Sequence, residues 1–190
     1  MSLFEFTFAL SAVILGLALT HMAAVLHKLM LAGRRVKWAA EPILLTLIVM
    51  LVLVTVWLGF WFNRADSSVS VGWIILQVLK LLTLYIAAAS CLPEVATGNE
   101  PLDTHDYYDR TRHLSFGALI VSYTLFGIAD IVADGVPKSI TLWVLVEWFL
   151  FPIIYALLIF IRVRWFNISA LAFALFFYLY IVIDVRLGSG

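Results

Sequence analysis

The chain has 190 residues, of which 64% are hydrophobic and 13% charged, with 12 basic and 12 acidic side chains balancing to zero net charge. Its mean hydropathy is +1.07. Soluble domains are about 45–50% apolar and about 25% charged, so this composition excludes a water-soluble globule, and the absent positive charge gives no sign of nucleic-acid binding. One cysteine, Cys91, excludes an internal disulfide and any cysteine-based zinc or iron–sulfur site.

Six apolar runs follow one another along residues 4–27, 42–62, 71–92, 114–132, 140–161 and 165–183. Each is about long enough to cross a bilayer, and each is continuous rather than alternating, which excludes a barrel and requires helices. The expected architecture is all-α: a single integral membrane domain over 1–190, a polytopic helical bundle of six spans. Glu5 replaces the basic start of a signal peptide, so the first run reads as a retained span.

Within it, Ala12, Gly16, Thr20 and Ala24 form a ladder of small residues at steps of four. Such a ladder lets backbones approach closely, inside one protomer or in a homo-oligomer through the first helix. His21 stands on the same helix, where an imidazole can shuttle protons or make a helix-to-helix hydrogen bond. His21 and His27 share one helix, and His105 and His113 lie outside the spans, so a transmembrane bis-histidine haem is not expected.

The break after the first span carries Lys28, Arg34, Arg35 and Lys37, that after the third Arg110 and Arg112, and that after the fifth Arg162 and Arg164. The opposite breaks and the C-terminus carry Arg64, Lys138 and Arg186. Eight against three places the N- and C-termini outside and the odd-numbered connections in the cytoplasm, as expected for a bacterial inner membrane. Trp57, Trp61 and Trp73 gather toward one interface, Trp38 and Trp165 toward the other. Glu41-Pro42 is a helix start, Pro93 a helix stop, and Pro152 a kink within the fifth run.

Ionisable groups inside hydrocarbon mark the places to look for function. The third span carries Ser70, Trp73, Gln77, Lys80, Leu84, Ala87 and Cys91 at steps of three and four, a polar and small-residue face expected to turn inward. Lys80 stands near the middle of the span and needs an anion. Glu147, at matched depth in the fifth span, is the expected partner, and Asp130, nearer the outer end of the fourth, is the second. Tyr123 shares a face with Asp130.

The expected cytoplasmic connection, 93–113, holds Asp103, His105, Asp106, Arg110 and Arg112 as site candidates. Their spacing matches no metal-ligand pattern, so no metal or other cofactor is expected. The preferred reading is that Asp103 and Asp106 cap a short interfacial helix, Tyr107 and Tyr108 sit at headgroup level, and Arg110 and Arg112 meet anionic lipid. The run from Leu102 to His113, with its acidic residues, Tyr-Tyr pair and basic residues leading into an apolar helix, resembles a pattern in an uncharacterised family of small bacterial six-helix integral membrane proteins. The resemblance implies a fold and no activity.

Three functions are compatible with these residues. The leading expectation is a channel or secondary transporter for an ion or small solute, with proton coupling as one form of it, and with Lys80, Glu147, Asp130, His21, Gln77 and Tyr123 along the path. The alternative is an accessory or assembly membrane protein. The third is a membrane enzyme using the acidic connection. Membrane lipids are expected partners of all three.

Overall fold

The computed structural model describes residues 3–62, 71–94, 101–135 and 146–184. Six α-helices account for nearly all of them: α1 (Leu3–Ala32), α2 (Ala40–Phe62), α3 (Val71–Ser90), α4 (Thr104–Asp134), α5 (Phe151–Phe160) and α6 (Arg164–Asp184). Helices α1, α2, α3 and α4 are each long and apolar enough to cross a membrane. Large apolar side chains such as Leu17, Leu31, Ile75, Val121, Phe160 and Phe176 project from the outside of the bundle. A surface of that kind would aggregate in water and suits lipid.

Inward faces follow the helical period. On α1 the buried positions are Thr7, Ser11, Leu15, Ala18, Met22, Val25 and Leu29, again at steps of three and four. The Ala12–Ala24 ladder occupies another face: Gly16, Thr20 and Ala24 are exposed, and a Cβ at Gly16 would meet nothing within 4 Å. The most extensive interhelix packing is α3 against α4, antiparallel, with α1 on α3, α2 on α6 and α5 on α4. Small and hydroxyl residues permit the α3–α4 approach, where Ser115 Oγ lies 2.9 Å from Ser90 Oγ. Other hydroxyls return to their own helix, as Thr46 does to the Pro42 carbonyl at 2.6 Å and Thr83 to that of Lys80 at 2.8 Å.

Pro152 lies in the first turn of α5, and the five residues before it, Val146–Leu150, form a single π-helical turn. Proline removes one backbone donor and clashes with the carbonyl a turn earlier, so the ladder widens just there. Gly33, with φ at +56°, takes the left-handed conformation that closes α1.

The connections after α1, α3 and α5 meet at one end of the bundle. Val36–Lys37 pairs in parallel with Leu102–Asp103. Thr104 Oγ1 pins the same junction, accepting from the Ala39 N–H and donating to the Lys37 carbonyl, both at 2.9 Å. Helix α4 therefore starts at Thr104, ten residues before the fourth apolar run. What reads in sequence as a short interfacial helix is the first turns of a 31-residue one. Asp103 is its N-cap, accepting from the N–H groups of His105 at 3.0 Å and Asp106 at 3.4 Å.

Candidate functional site

Two charged centres are built into the bundle. The first surrounds Lys80 on α3. Its side chain is 4% exposed. The ammonium stands 4.2 Å from the ring centroid of Phe126 on α4 and 5.3 Å from that of Phe60 on α2. Aromatic faces carry negative quadrupole density, and a desolvated contact of this kind is worth about 2 kcal/mol. The charge of Asp130, one turn beyond Phe126, acts favourably on the same ammonium. Ser122 binds the Lys80 carbonyl at 3.2 Å, which fixes α4 against this turn of α3.

The inward stripe on α3 is as its spacing predicts: Gln77, Lys80, Leu84, Ala87 and Cys91 are all buried. Gln77 Oε1 has no hydrogen-bond partner among the described residues. The side chain of Glu147, the expected partner of Lys80, lies outside the described residues, as does Ser70. Asp130 sits on the exposed side of α4. Tyr123 turns toward α5, with ring centroids 6.0 Å from Phe151 and 5.9 Å from Tyr155. His21 is half-buried against α3, its ring 6.2 Å from that of Tyr85.

The second centre occupies the end where the three connections meet. Glu41, in the first turn of α2, is completely buried. Its Oε1 is 3.0 Å from Arg164 Nε on α6 and 3.4 Å from His105 Nδ1 on α4. The other ring nitrogen of His105 is 4.0 Å from Asp109 Oδ2, one turn along α4. Glu41 Oε2, His105 Nδ1 and the Tyr108 hydroxyl are buried without hydrogen-bond partners among the described residues. The charges of Arg112, Glu41 and Asp109 all act on the Tyr108 hydroxyl.

Arg112 corrects the sequence reading outright. It is fully buried instead of lying among headgroups. Its guanidinium donates to the Leu158 carbonyl, to the Ile161 carbonyl at 2.6 Å and to Asp109 at 3.4 Å. It closes the C-terminus of α5, where unsatisfied carbonyls and the negative end of the helix dipole favour a cation. Tyr108 is likewise buried rather than interfacial, stacked edge-on to Phe116 with centroids 6.0 Å apart. Asp103 is occupied as the N-cap and lies 3.9 Å from Lys37 Nζ. Arg110 and Asp106 face outward.

Sequence reasoning selected His105 and Arg112 but missed Glu41 and Arg164 as partners in the same cluster. The available signal was the Glu41-Pro42 helix start, which places a carboxylate without naming its partners. No three His, Cys, Asp or Glu side chains among the described residues come together in a way that could hold a metal ion. No protein-family model matches the chain, and neither do curated proteins or solved structures.

Proposed function

We propose that this chain is a six-span protein of a bacterial inner membrane, with both termini outside, and that it moves a proton or another small ion past Lys80. The observation that carries the reading is the burial of the Lys80 ammonium among α2, α3 and α4, between two aromatic rings and within the field of Asp130. Ionisable groups at such depth are costly and typically mark a pathway. Meeting of the odd-numbered connections at one end supports the topology, because it gathers the eight basic residues counted there on one side.

Proteoliposomes loaded with a pH-sensitive dye test the function. Wild-type protein is expected to relax an imposed proton or cation gradient faster than empty vesicles, and Lys80→Met to abolish the difference. Wild-type vesicles as tight as empty ones toward protons, sodium, potassium and chloride would remove the reading. Cysteines placed at Arg34 should be shielded from an impermeant maleimide in intact cells. Labelling there would reverse the topology.

A second reading, an accessory protein that assembles with its own copies or with others, is favoured by the small-residue ladder of α1. Its open face, with nothing within 4 Å of a Cβ at Gly16 among the described residues, offers a surface for another helix.

A further inference from the structure

His105 stands between two carboxylates of opposite character. Its Nε2 is 4.0 Å from Asp109 Oδ2 and its Nδ1 is 3.4 Å from Glu41 Oε1; these are ion-pair distances, and Nδ1 makes no hydrogen bond among the described residues, so each transfer needs the two groups to close into hydrogen-bond contact first. The Asp109 side chain is 42% exposed and that of Glu41 not at all. We propose that His105 passes protons between Asp109 at the surface and the buried carboxyl of Glu41, which makes Glu41 a proton-exchange site.

An imidazole suits this task because its two nitrogens can accept on one side and donate on the other. A neutral ring with its hydrogen on Nδ1 takes a proton at Nε2 from the protonated carboxyl of Asp109. As the Nδ1–H bond breaks, an O–H bond forms on Glu41. His105 is left neutral with its hydrogen on Nε2, and Glu41 is left neutral. The reverse steps restore the first tautomer, so no other reactant is needed.

Arg164 reaches from α6 to within 3.0 Å of Glu41 Oε1. Glu41 Oε2 has no hydrogen-bond partner among the described residues, so a proton arriving on the group displaces no donor there. From α4, Tyr108 is within the electrostatic reach of Glu41, while Arg112 is committed to the carbonyls that end α5. From the paired strands, Lys37 and Asp103 stand 3.9 Å from one another. Asn167, one turn after Arg164 on the same face of α6, is buried with Oδ1 unpartnered among the described residues. Protonation of Glu41 weakens its hold on Arg164, and so couples the proton to the contact between α2 and α6.

The relay gives the transport reading a proton route at one end of the bundle and rests on that reading only for its use. Its test needs no transport. Infrared spectra of the full chain in lipid nanodiscs should show a protonated-carboxyl band on acidification that Glu41→Gln removes. Transfer to deuterated buffer at that acid pH then times deuterium entry into the band. His105→Phe is expected to slow entry about 100-fold, the usual contribution of a positioned acid–base group, and Asp109→Asn to slow it by less. Absence of a band lost in Glu41→Gln, or wild-type exchange in a folded His105→Phe protein, would overturn the proposal. Should His105→Phe not fold, wild-type exchange in Asp109→Asn overturns it. Slow exchange in these variants beside ion-tight wild-type vesicles would leave the relay standing and remove transport alone.

Discussion

Replacing Arg112 by Met is the most direct test of how the end of the bundle is held. Methionine fills much of the arginine stem's volume but supplies no donor. Two backbone carbonyls, those of Leu158 and Ile161, lose the guanidinium that satisfies them. Hydrogen bonds from a charged donor are worth about 1.5–3 kcal/mol each, so the pair gives an expected loss of about 3–6 kcal/mol. The Asp109 contact adds little to that figure, because Asp109 is half open to solvent and its charge is screened once released. Arg112→Lys should recover roughly half of the loss, since an ammonium reaches one carbonyl well but lacks the planar fork that spans two. Arg110→Met, two residues away and exposed, is the control and should stay within about 0.5 kcal/mol of wild type. Denaturant titration in mixed micelles, followed by circular dichroism, reads all three. A loss below about 1 kcal/mol for Arg112→Met would refute the capping role, because it would mean those carbonyls are satisfied without the side chain.

Lys80→Met and Asp130→Asn should each lower stability, and the double variant should recover part of the loss, with a coupling of about 0.5–3 kcal/mol in the same titration. Strict additivity would detach Asp130 from Lys80 and turn attention to Glu147. Phe126→Leu, which removes the ring nearest the ammonium, should cost about 1–2 kcal/mol more in wild type than in the Lys80→Met background. Gly16→Leu should leave the melting of the protomer unchanged, because nothing lies within 4 Å of the new Cβ, while lowering the oligomer mass seen by native mass spectrometry. Unchanged mass would exclude assembly through that face. Cys91 is buried with its thiol 3.1 Å from the Ala87 carbonyl, so maleimide should modify it only after denaturation. Prompt labelling of folded protein would contradict its placement.

The inward stripe of α3 was legible because a helix repeats every 3.6 residues, and Gln77, Lys80, Leu84, Ala87 and Cys91, at steps of three and four, can share only one face. Helix punctuation was legible for the same local reason, as Glu41-Pro42, Asp103 and Pro152 act on their own backbones. The cluster around Glu41 was not. Arg164 is 123 positions away in sequence, and the Leu158 carbonyl that holds Arg112 is 46 away. A backbone carbonyl leaves no trace in sequence at all, so an arginine that satisfies one reads as an interfacial charge. Helix α4 begins early for a related reason. The polar run from 104 to 113 suggests a solvated loop, yet Tyr108 and Arg112, four apart, form a buried face on which the Arg112 guanidinium finds carbonyl partners at the end of α5.

The mixed charges of the connections follow from the direction of the helices. At the end where Glu41 lies, α2, α4 and α6 begin and α1, α3 and α5 finish. Beginnings carry positive partial charge on unsatisfied N–H groups, and endings carry negative partial charge on unsatisfied carbonyls. The acids accordingly sit at beginnings, Glu41 in the first turn of α2 and Asp103 and Asp106 at the start of α4. The bases sit at endings: Arg34 and Arg35 follow α1, and Arg112 reaches across to the close of α5. Arg164 departs from this pattern, as Glu94 after the end of α3 also does; it is a cation in the first turn of α6 and it pairs with the fully buried Glu41. Its unfavourable position on its own helix is offset by the carboxylate, so removing Glu41 harms both helices at once. Counting Lys and Arg for topology therefore mixes two populations. Arg112 is spent on helix ends inside the protein, whereas Lys28, Arg34, Arg35, Lys37 and Arg110 remain outward and are the residues that can meet a charged membrane surface.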